Sequence, residues 1–126
     1  MNSVKDLVAD ANTRVTTIRA IEAVPLLDDR NTLFVDLRDS AELQSHRQIP
    51  GAVHVNRGLL EFVLDPTMAY HLPIFSSGKR FILYCASGGR SALAADTAQR
   101  MGLTRVLHLG GGFKGWLEAS GPVTKA

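Results

Sequence analysis

The chain is poor in cysteine and in aromatic residues: it has one cysteine, Cys85, and aromatic residues make up 6% of its 126 residues. A single cysteine excludes an intramolecular disulfide and a zinc site built from several thiolates. It also favours a reducing compartment, so we expect a cytoplasmic protein. The four histidines lack the spacing of metal-binding motifs, so we predict no metal site.

Long hydrophobic runs are also missing. The longest apolar run covers six residues, 81–86, whereas a membrane-spanning helix needs about 20. The first residues include two aspartates and no apolar stretch typical of a secretion signal. The 14 basic residues outnumber the 12 acidic ones by two and are scattered along the chain. We therefore predict that the protein binds neither a membrane nor a nucleic acid.

The remaining composition, 45% hydrophobic and 21% charged, is that of an ordinary globular protein. The length suits one domain, so we predict a single domain over residues 1–126. Strand-like and helix-like segments alternate about five times, after an N-terminal helix near residues 3–12. This alternation predicts a three-layer α/β fold, with a mostly parallel, doubly wound sheet of about five strands and helices on both faces.

Ligands of such sheets bind beyond the carboxyl ends of the strands. Three predicted strands are followed there by Arg38, by Arg57, and by Cys85 with Arg90. If the strands are parallel, these residues lie at one edge of the sheet. We therefore expect the thiol and the three guanidinium groups to share one crevice that faces a small anion.

The residues that carry this chemistry form a short loop, Cys85-Ala86-Ser87-Gly88-Gly89-Arg90-Ser91. The loop leaves a buried strand, turns through two glycines and enters an alanine-rich helix, so its N–H groups can surround an anion at the helix N-terminus. An ordinary thiol has a pKa of about 8.5, and helix N-termini and nearby cations lower it. The helix end alone contributes only about 0.3–1 kcal/mol, so loop hydrogen bonds and the arginine would have to add the rest.

Several of these residues have a structural alternative. A lone cysteine after an apolar strand is more often a packed small side chain, although the glycine loop favours a nucleophile here. Arg90 either points into the loop or pairs outward with Asp36 or Glu42. Arg38 is more typical of a clamp on Asp36 than of a substrate ligand, which leaves Arg57 as the better side-chain candidate for an incoming anion.

Three segments together resemble the rhodanese (thiosulfate sulfurtransferase) family, single-domain type. They are residues 35–43 with the Ile-Pro-Gly-Ala of 49–52, the Cys-x-x-Gly-x-Arg-Ser loop of 85–91, and the Gly-Gly-Gly-Phe-Lys-Gly-Trp of 110–116. Their order and spacing match the family over roughly residues 14–121. The glycines of the third segment also fit a dinucleotide-binding pattern, but the acidic residue about 20 positions later is missing, so turn and packing glycines are favoured.

The resemblance implies a sulfurtransferase in which Cys85 attacks a small anionic sulfur donor such as thiosulfate. A Cys85 persulfide then passes sulfur to cyanide, a thiol or a protein acceptor, and the N–H groups of residues 86–91 hold its charge. No cofactor or metal is implied. Related cysteine phosphatases enclose five residues between cysteine and arginine, whereas this loop encloses four. The long segment 57–77 serves either as a lid or as ordinary packing; as a lid it would also suit a persulfide carrier that docks on partner proteins.

Overall fold

The structure, a computed structural model, describes residues 1–45 and 47–126. Its strands in that part of the chain are β1 (Thr16–Arg19), β2 (Thr32–Asp36), β3 (Arg47–Gln48), β4 (Val53–His54), β5 (Arg80–Tyr84), β6 (Val106–Gly110) and β7 (Thr124–Lys125). Its α-helices there are α1 (Val4–Asn12), α2 (Ala20–Ala23), α3 (Ser40–Ser45), α4 (Leu60–Leu64), α5 (Gly89–Arg100) and α6 (Gly112–Glu118). Single 3-10 turns or short 3-10 helices cover Val24–Asp28, Arg57–Leu59 and Pro73–Ser76.

Five strands form one sheet in the order β1-β6-β5-β2-β4, and every neighbouring pair is parallel. The remaining two strands, β3 and β7, form a separate antiparallel ribbon in which Arg47 lies opposite Lys125. The predicted α/β fold with a parallel five-stranded sheet is confirmed. The ribbon was not predicted, because its strands, Arg47–Gln48 and Thr124–Lys125, contain no apolar residue that a strand pattern could reveal.

The two faces of the sheet are buried against different helices. Along β5, Phe81 and Leu83 face the layer that contains α4 and α5, whereas Ile82 and Tyr84 face the layer that contains α2 and α6. This alternation follows from the two-residue repeat of a strand. The residues of α5 that meet the sheet are mostly alanines, which lets the helix backbone lie close to the strands.

One helix prediction needs correction. The sequence predicts a short strand near Val15, followed by a helix in the apolar-periodic segment 18–27. The strand instead extends to Arg19, and the α-helix covers only Ala20–Ala23 before the chain continues as the 3-10 helix Val24–Asp28. Pro25 explains the change, because its ring has no N–H to donate and clashes with the carbonyl four residues earlier. The C-terminal ends of β5 and β6 lie side by side, and α5 and α6 begin there. Within the described residues, no helix has both the length and the apolar content needed to cross a bilayer.

Candidate functional site

Cys85 directly follows β5 and lies at the N-terminus of α5. The chain turns at Gly88, which has a left-handed φ of 110° and caps the helix. The N–H of Gly88 donates to the Cys85 Sγ at 3.2 Å, and the Ser91 Oγ lies 3.6 Å from the same sulfur. Cys85 is only 1% exposed, but its sulfur faces polar groups. These polar contacts distinguish Cys85 from a cysteine that only fills space in the core, whose sulfur would contact apolar side chains.

The rest of the loop surrounds this sulfur at different depths. Ala86, Gly89 and Arg90 are partly exposed and Ser87 is exposed, whereas Ser91 is buried. Since the helix begins after Gly88, the N–H groups of residues 89–91 have no carbonyl partner within it. They are the donors that a helix N-terminus offers to an anion.

The loop is fixed from the other side by the start of α6. The N–H of Phe113 donates to the carbonyl of Cys85 at 2.8 Å, and the N–H of Lys114 donates to the carbonyl of Ala86 at 3.1 Å. Gly112 makes this approach possible, because a Cβ there would lie 2.7 Å from the backbone of both Cys85 and Ala86. Gly112, the first residue of α6, therefore serves close packing, the role that the sequence favoured for the glycines of this segment.

Arg90 pairs outward. Its guanidinium donates to both carboxylate oxygens of Glu42 on α3, at 2.7 and 3.0 Å. These hydrogen bonds lower the pKa of Glu42 to about 2. The alternative of an outward ion pair is thus the observed one, with Glu42 rather than Asp36 as the partner. The pair ties the first turn of α5 to α3.

Arg38 does not face the crevice, so the prediction that three guanidinium groups line it was wrong. Arg38 is 2% exposed, and its guanidinium donates to Asp36 and to the carbonyl of Arg47, both at 2.8 Å. Its carbon Cζ lies 4.4 Å from the ring centroid of Phe113. The buried carboxylate two residues earlier holds the guanidinium inside the protein, where a charge needs a partner. Arg38 is therefore a clamp, the alternative that the sequence favoured.

Arg57 lies at the same edge of the sheet, two strands away from Cys85. Its N–H donates to the carbonyl of Leu37 at 3.2 Å, and its guanidinium donates to Glu61 at 2.9 Å. The structure therefore brings its backbone to the edge and gives its side chain a carboxylate partner. A role for Arg57 in substrate binding stays a prediction.

Sequence reasoning missed His108. Its Nδ1 lies 3.0 Å from the Ser91 Oγ, and its Nε2 lies 3.0 Å from the Thr17 Oγ1 and 3.1 Å from the Asn12 Oδ1. Burial lowers the pKa of His108 below its usual value. One signal was available: in β6 His108 alternates with Val106, which places both side chains on the face that α5 covers.

In the part of the chain that the structure describes, no three His, Cys, Asp or Glu side chains group closely enough to hold a metal ion. The polar groups gathered at the site are the Cys85 thiol, the N-terminus of α5 around it, and the buried Ser91 and His108 behind it.

Comparison with known proteins gives a family and several relatives. The model of the Rhodanese-like domain matches residues 20–119. A solved structure from Rhodopseudomonas palustris, described as a protein of unknown function and a possible tyrosine phosphatase, is 41% identical with a TM-score of 0.95. The match covers 98% of this chain and 96% of that one.

Two curated relatives carry sulfurtransferase names. The mouse thiosulfate sulfurtransferase/rhodanese-like domain-containing protein 3 is 29% identical over 76% of this chain and 64% of its own length. The thiosulfate sulfurtransferase GlpE of Glaesserella parasuis is 28% identical over 86% of this chain and 92% of its own length. This chain thus spans less than two thirds of the mouse protein and nearly all of the bacterial one.

Proposed function

The chain belongs to the rhodanese-like domain family, and we propose that it is a sulfurtransferase that carries sulfane sulfur as a persulfide on Cys85. The observation that carries the proposal is the setting of the thiol, which is buried at the N-terminus of α5 with the Gly88 N–H 3.2 Å from its sulfur. The sulfurtransferase names of the mouse and Glaesserella relatives support the same chemistry. A cytoplasmic location is part of the proposal and rests on the single cysteine.

The reaction has two steps, both at sulfur. The Cys85 thiolate attacks the outer sulfur of thiosulfate, the bond between the two thiosulfate sulfurs breaks, and sulfite leaves with the electron pair. An acceptor such as cyanide or a thiol then attacks the outer sulfur of the persulfide and restores the thiolate. The N–H groups of residues 86–91 stabilise the negative charge of the persulfide in the way an oxyanion hole does. Arg57 is the side chain we assign to attracting the anionic donor.

Phosphatase activity is the less favoured chemistry, although the Rhodopseudomonas relative is described as a possible tyrosine phosphatase. The loop encloses four residues between Cys85 and Arg90, one fewer than related cysteine phosphatases. The Arg90 guanidinium also donates two hydrogen bonds to the carboxylate of Glu42. A smaller loop with its arginine engaged elsewhere suits a persulfide sulfur better than a phosphoryl group.

A second candidate function is a persulfide carrier that passes sulfur to another protein and has little thiosulfate activity. It is favoured by the segment 57–77, in which three large apolar side chains are exposed: Leu59, Phe62 and Tyr70 at 54%, 46% and 67%. Exposed apolar side chains of this size would suit docking on a partner protein.

We expect the protein to form thiocyanate from thiosulfate and cyanide, and Cys85→Ser to lower the rate at least about a thousandfold because the nucleophile is gone. Mass spectrometry after thiosulfate treatment should give a gain of about 32 Da, one sulfur atom, in the wild type only. Gln44→Ala, an exposed change on α3, serves as the matched control with wild-type rates.

The outcomes separate the candidates. Loading of sulfur without thiocyanate turnover would favour the carrier. Hydrolysis of p-nitrophenyl phosphate without sulfur loading would favour the phosphatase. Full sulfur transfer by Cys85→Ser would falsify the proposal.

A further inference from the structure

A continuous chain of buried polar side chains leads away from the Cys85 sulfur into the protein. It runs from Sγ to the Ser91 Oγ at 3.6 Å, and from there to the His108 Nδ1 at 3.0 Å. Cys85, Ser91 and His108 are between 0% and 3% exposed. We propose that Ser91 and His108 form a proton relay that takes the thiol proton of Cys85 and returns it. This inference rests on the proposed role of Cys85 as the nucleophile.

The hydrogen bonds on the far side of the ring fix the direction of the relay. The amide oxygen of Asn12 only accepts hydrogen bonds, so the His108 Nε2 that lies 3.1 Å from it carries the hydrogen. In the neutral ring Nδ1 is then an acceptor. The Ser91 hydroxyl has two acceptors in reach, His108 Nδ1 at 3.0 Å and the carbonyl of Gly88 at 3.3 Å, and the relay uses the nearer one. A lone pair of the Ser91 oxygen is left for the Cys85 S–H. All three groups are therefore ordered as donor to acceptor, from cysteine to serine to histidine.

The transfer moves two protons and leaves the total charge unchanged. The S–H bond of Cys85 breaks as its proton joins the Ser91 oxygen, and the original hydroxyl proton of Ser91 moves to the His108 Nδ1. The products are a thiolate and an imidazolium, and the new Ser91 O–H points back to the sulfur. When the acceptor has removed the outer sulfur, the same protons move back. Ser91 touches the reacting sulfur, whereas His108 acts through Ser91.

The surroundings of His108 favour a neutral ring at rest. The elements packed against it contribute neutral groups: Thr17 from β1, Asn12 from α1, Ser91 from α5 and Leu83 from β5. Arg14, which follows α1, donates to Asp10 of α1 and to Asp96 of α5, so these three charged groups are paired with one another. Burial lowers the pKa of His108, so the ring is neutral at rest. The imidazolium formed by the relay therefore depends on the negative charge of the nearby thiolate to offset the cost of burying it.

A purely structural role is the competing explanation, because the same hydrogen bonds join α1, β1, β6 and α5. The two roles differ in their dependence on pH. A relay matters only while Cys85 holds a proton that must be removed. A structural bridge matters at every pH.

The experiment measures the rate of Cys85 alkylation by iodoacetamide against pH. The protein has one cysteine, so all label is on Cys85 and no sulfur donor is needed. The test variant is His108→Asn, whose amide can still accept the Ser91 hydrogen bond but cannot take up a proton. Ser91→Ala removes the bridge itself. The control is His71→Asn, which removes an imidazole that contacts Val63 and Ser76 instead.

We expect His108→Asn and Ser91→Ala to slow alkylation at least about tenfold at neutral pH. The deficit should disappear in alkaline buffer, where hydroxide removes the proton directly, and His71→Asn should follow the wild type throughout. Wild-type rates in His108→Asn, or a deficit of the same size at every pH, would overturn the relay. If thermal unfolding shows that Ser91→Ala does not fold, His108→Asn decides alone.

This test is independent of the proposed function. A protein that forms no persulfide but shows the pH-dependent deficit keeps the relay and loses the sulfurtransferase assignment. If the protein transfers sulfur normally but the ratio of wild-type to variant alkylation rates is the same at every pH, the sulfurtransferase assignment stands and the relay is wrong.

Discussion

Single residues decide how closely the two backbone segments of the site approach each other. At Gly112 the chain has a left-handed φ of 59°, and the missing side chain leaves room for the carbonyls of Cys85 and Ala86. The N–H groups of the two residues that follow Gly112 hold those same carbonyls. The position of the nucleophile therefore depends on a residue 27 positions further along the sequence.

Gly112→Ala tests this dependence against Gly51→Ala. Gly51 also has a left-handed φ, 77°, but a Cβ there would meet nothing within 4 Å, so the change costs only the conformational penalty of about 1–2 kcal/mol. Gly112→Ala should lower the free energy of unfolding by about 1–3 kcal/mol more than this penalty, because the added methyl group overpacks the site. We also expect it to slow Cys85 alkylation, because the loop must move. Urea unfolding measures the first effect, and equal costs for the two variants would contradict the close approach.

The pair of Glu42 and Arg90 makes stability depend on pH at the acidic end. The pKa of Glu42 falls from an ordinary 4.5 to about 2 in the folded protein. A carboxylate whose pKa is lower in the folded state stabilises it above the unfolded pKa, and the contribution is lost as pH falls from 4.5 towards 2.

Glu42→Gln should therefore lower the free energy of unfolding at neutral pH by about 0.5–1 kcal/mol, discounted for solvent screening of this partly exposed pair. Urea unfolding of wild type and variant across the acidic range checks it. The difference should shrink towards zero near the lower pKa, and a difference that stays constant with pH would argue against the ion pair as its source.

Among single residues, the sequence predicts those site residues that lie close together along the chain. Cys85, the glycine turn and the loop arginine stand within one short segment, so their pattern is visible without a fold. His108, by contrast, is hydrogen-bonded to residues that are distant in the sequence: Ser91 is 17 positions away and Asn12 is 96 positions away. Its role depends on which strands become neighbours, and no local pattern holds that information.

Between elements, the buried cluster around Arg38 joins the end of β2 to the ribbon and to α6. The guanidinium contacts Asp36, the carbonyl of Arg47 and the ring of Phe113. Tyr84 completes the cluster, since its hydroxyl donates to Asp36 at 2.7 Å. Burial, together with Asp36, raises the pKa of this hydroxyl, so it stays a donor.

Arg38→Met should destabilise the protein by about 3–5 kcal/mol, because it leaves the buried carboxylate of Asp36 without its cation. The matched control is Arg80→Met, which breaks an Arg–Asp pair whose side chains are 31% and 30% exposed and should cost far less. Chemical denaturation of both variants gives the comparison. If both variants lose a similar amount of unfolding free energy, burial of the Arg38–Asp36 pair does not make its disruption more destabilising.

Helices and strands were predictable where their pattern was long enough. The apolar run of β5 and the alanine-rich α5 meet that condition, and both were predicted. The ribbon of β3 and β7 does not meet it, because each of its strands consists of two polar residues. The helix predicted within residues 18–27 is shorter than its apolar periodicity suggests, because Pro25 interrupts it.

For the whole molecule, the alternation of strands and helices was sufficient to predict the fold class, because parallel strands need crossover connections that helices supply. The order of the strands was not predicted. That order sets β6 between β1 and β5, and so brings residues from α1 and β1 to the polar chain behind Cys85. The nucleophile was therefore accessible to sequence reasoning, whereas its deeper partners were not.

The strand order also has a consequence for the nascent chain on the ribosome. β1 lies at the edge of the sheet beside β6. Although β1 is translated early, it cannot pair in the sheet until β6, which is translated late, is available. Strands β2, β4 and β5 can associate during elongation, whereas β1 docks only after β6 has left the exit tunnel. The loop of residues 85–91 therefore reaches its final position late in synthesis, because β6, which carries His108, and the start of α6, which holds the loop carbonyls, are both translated after it.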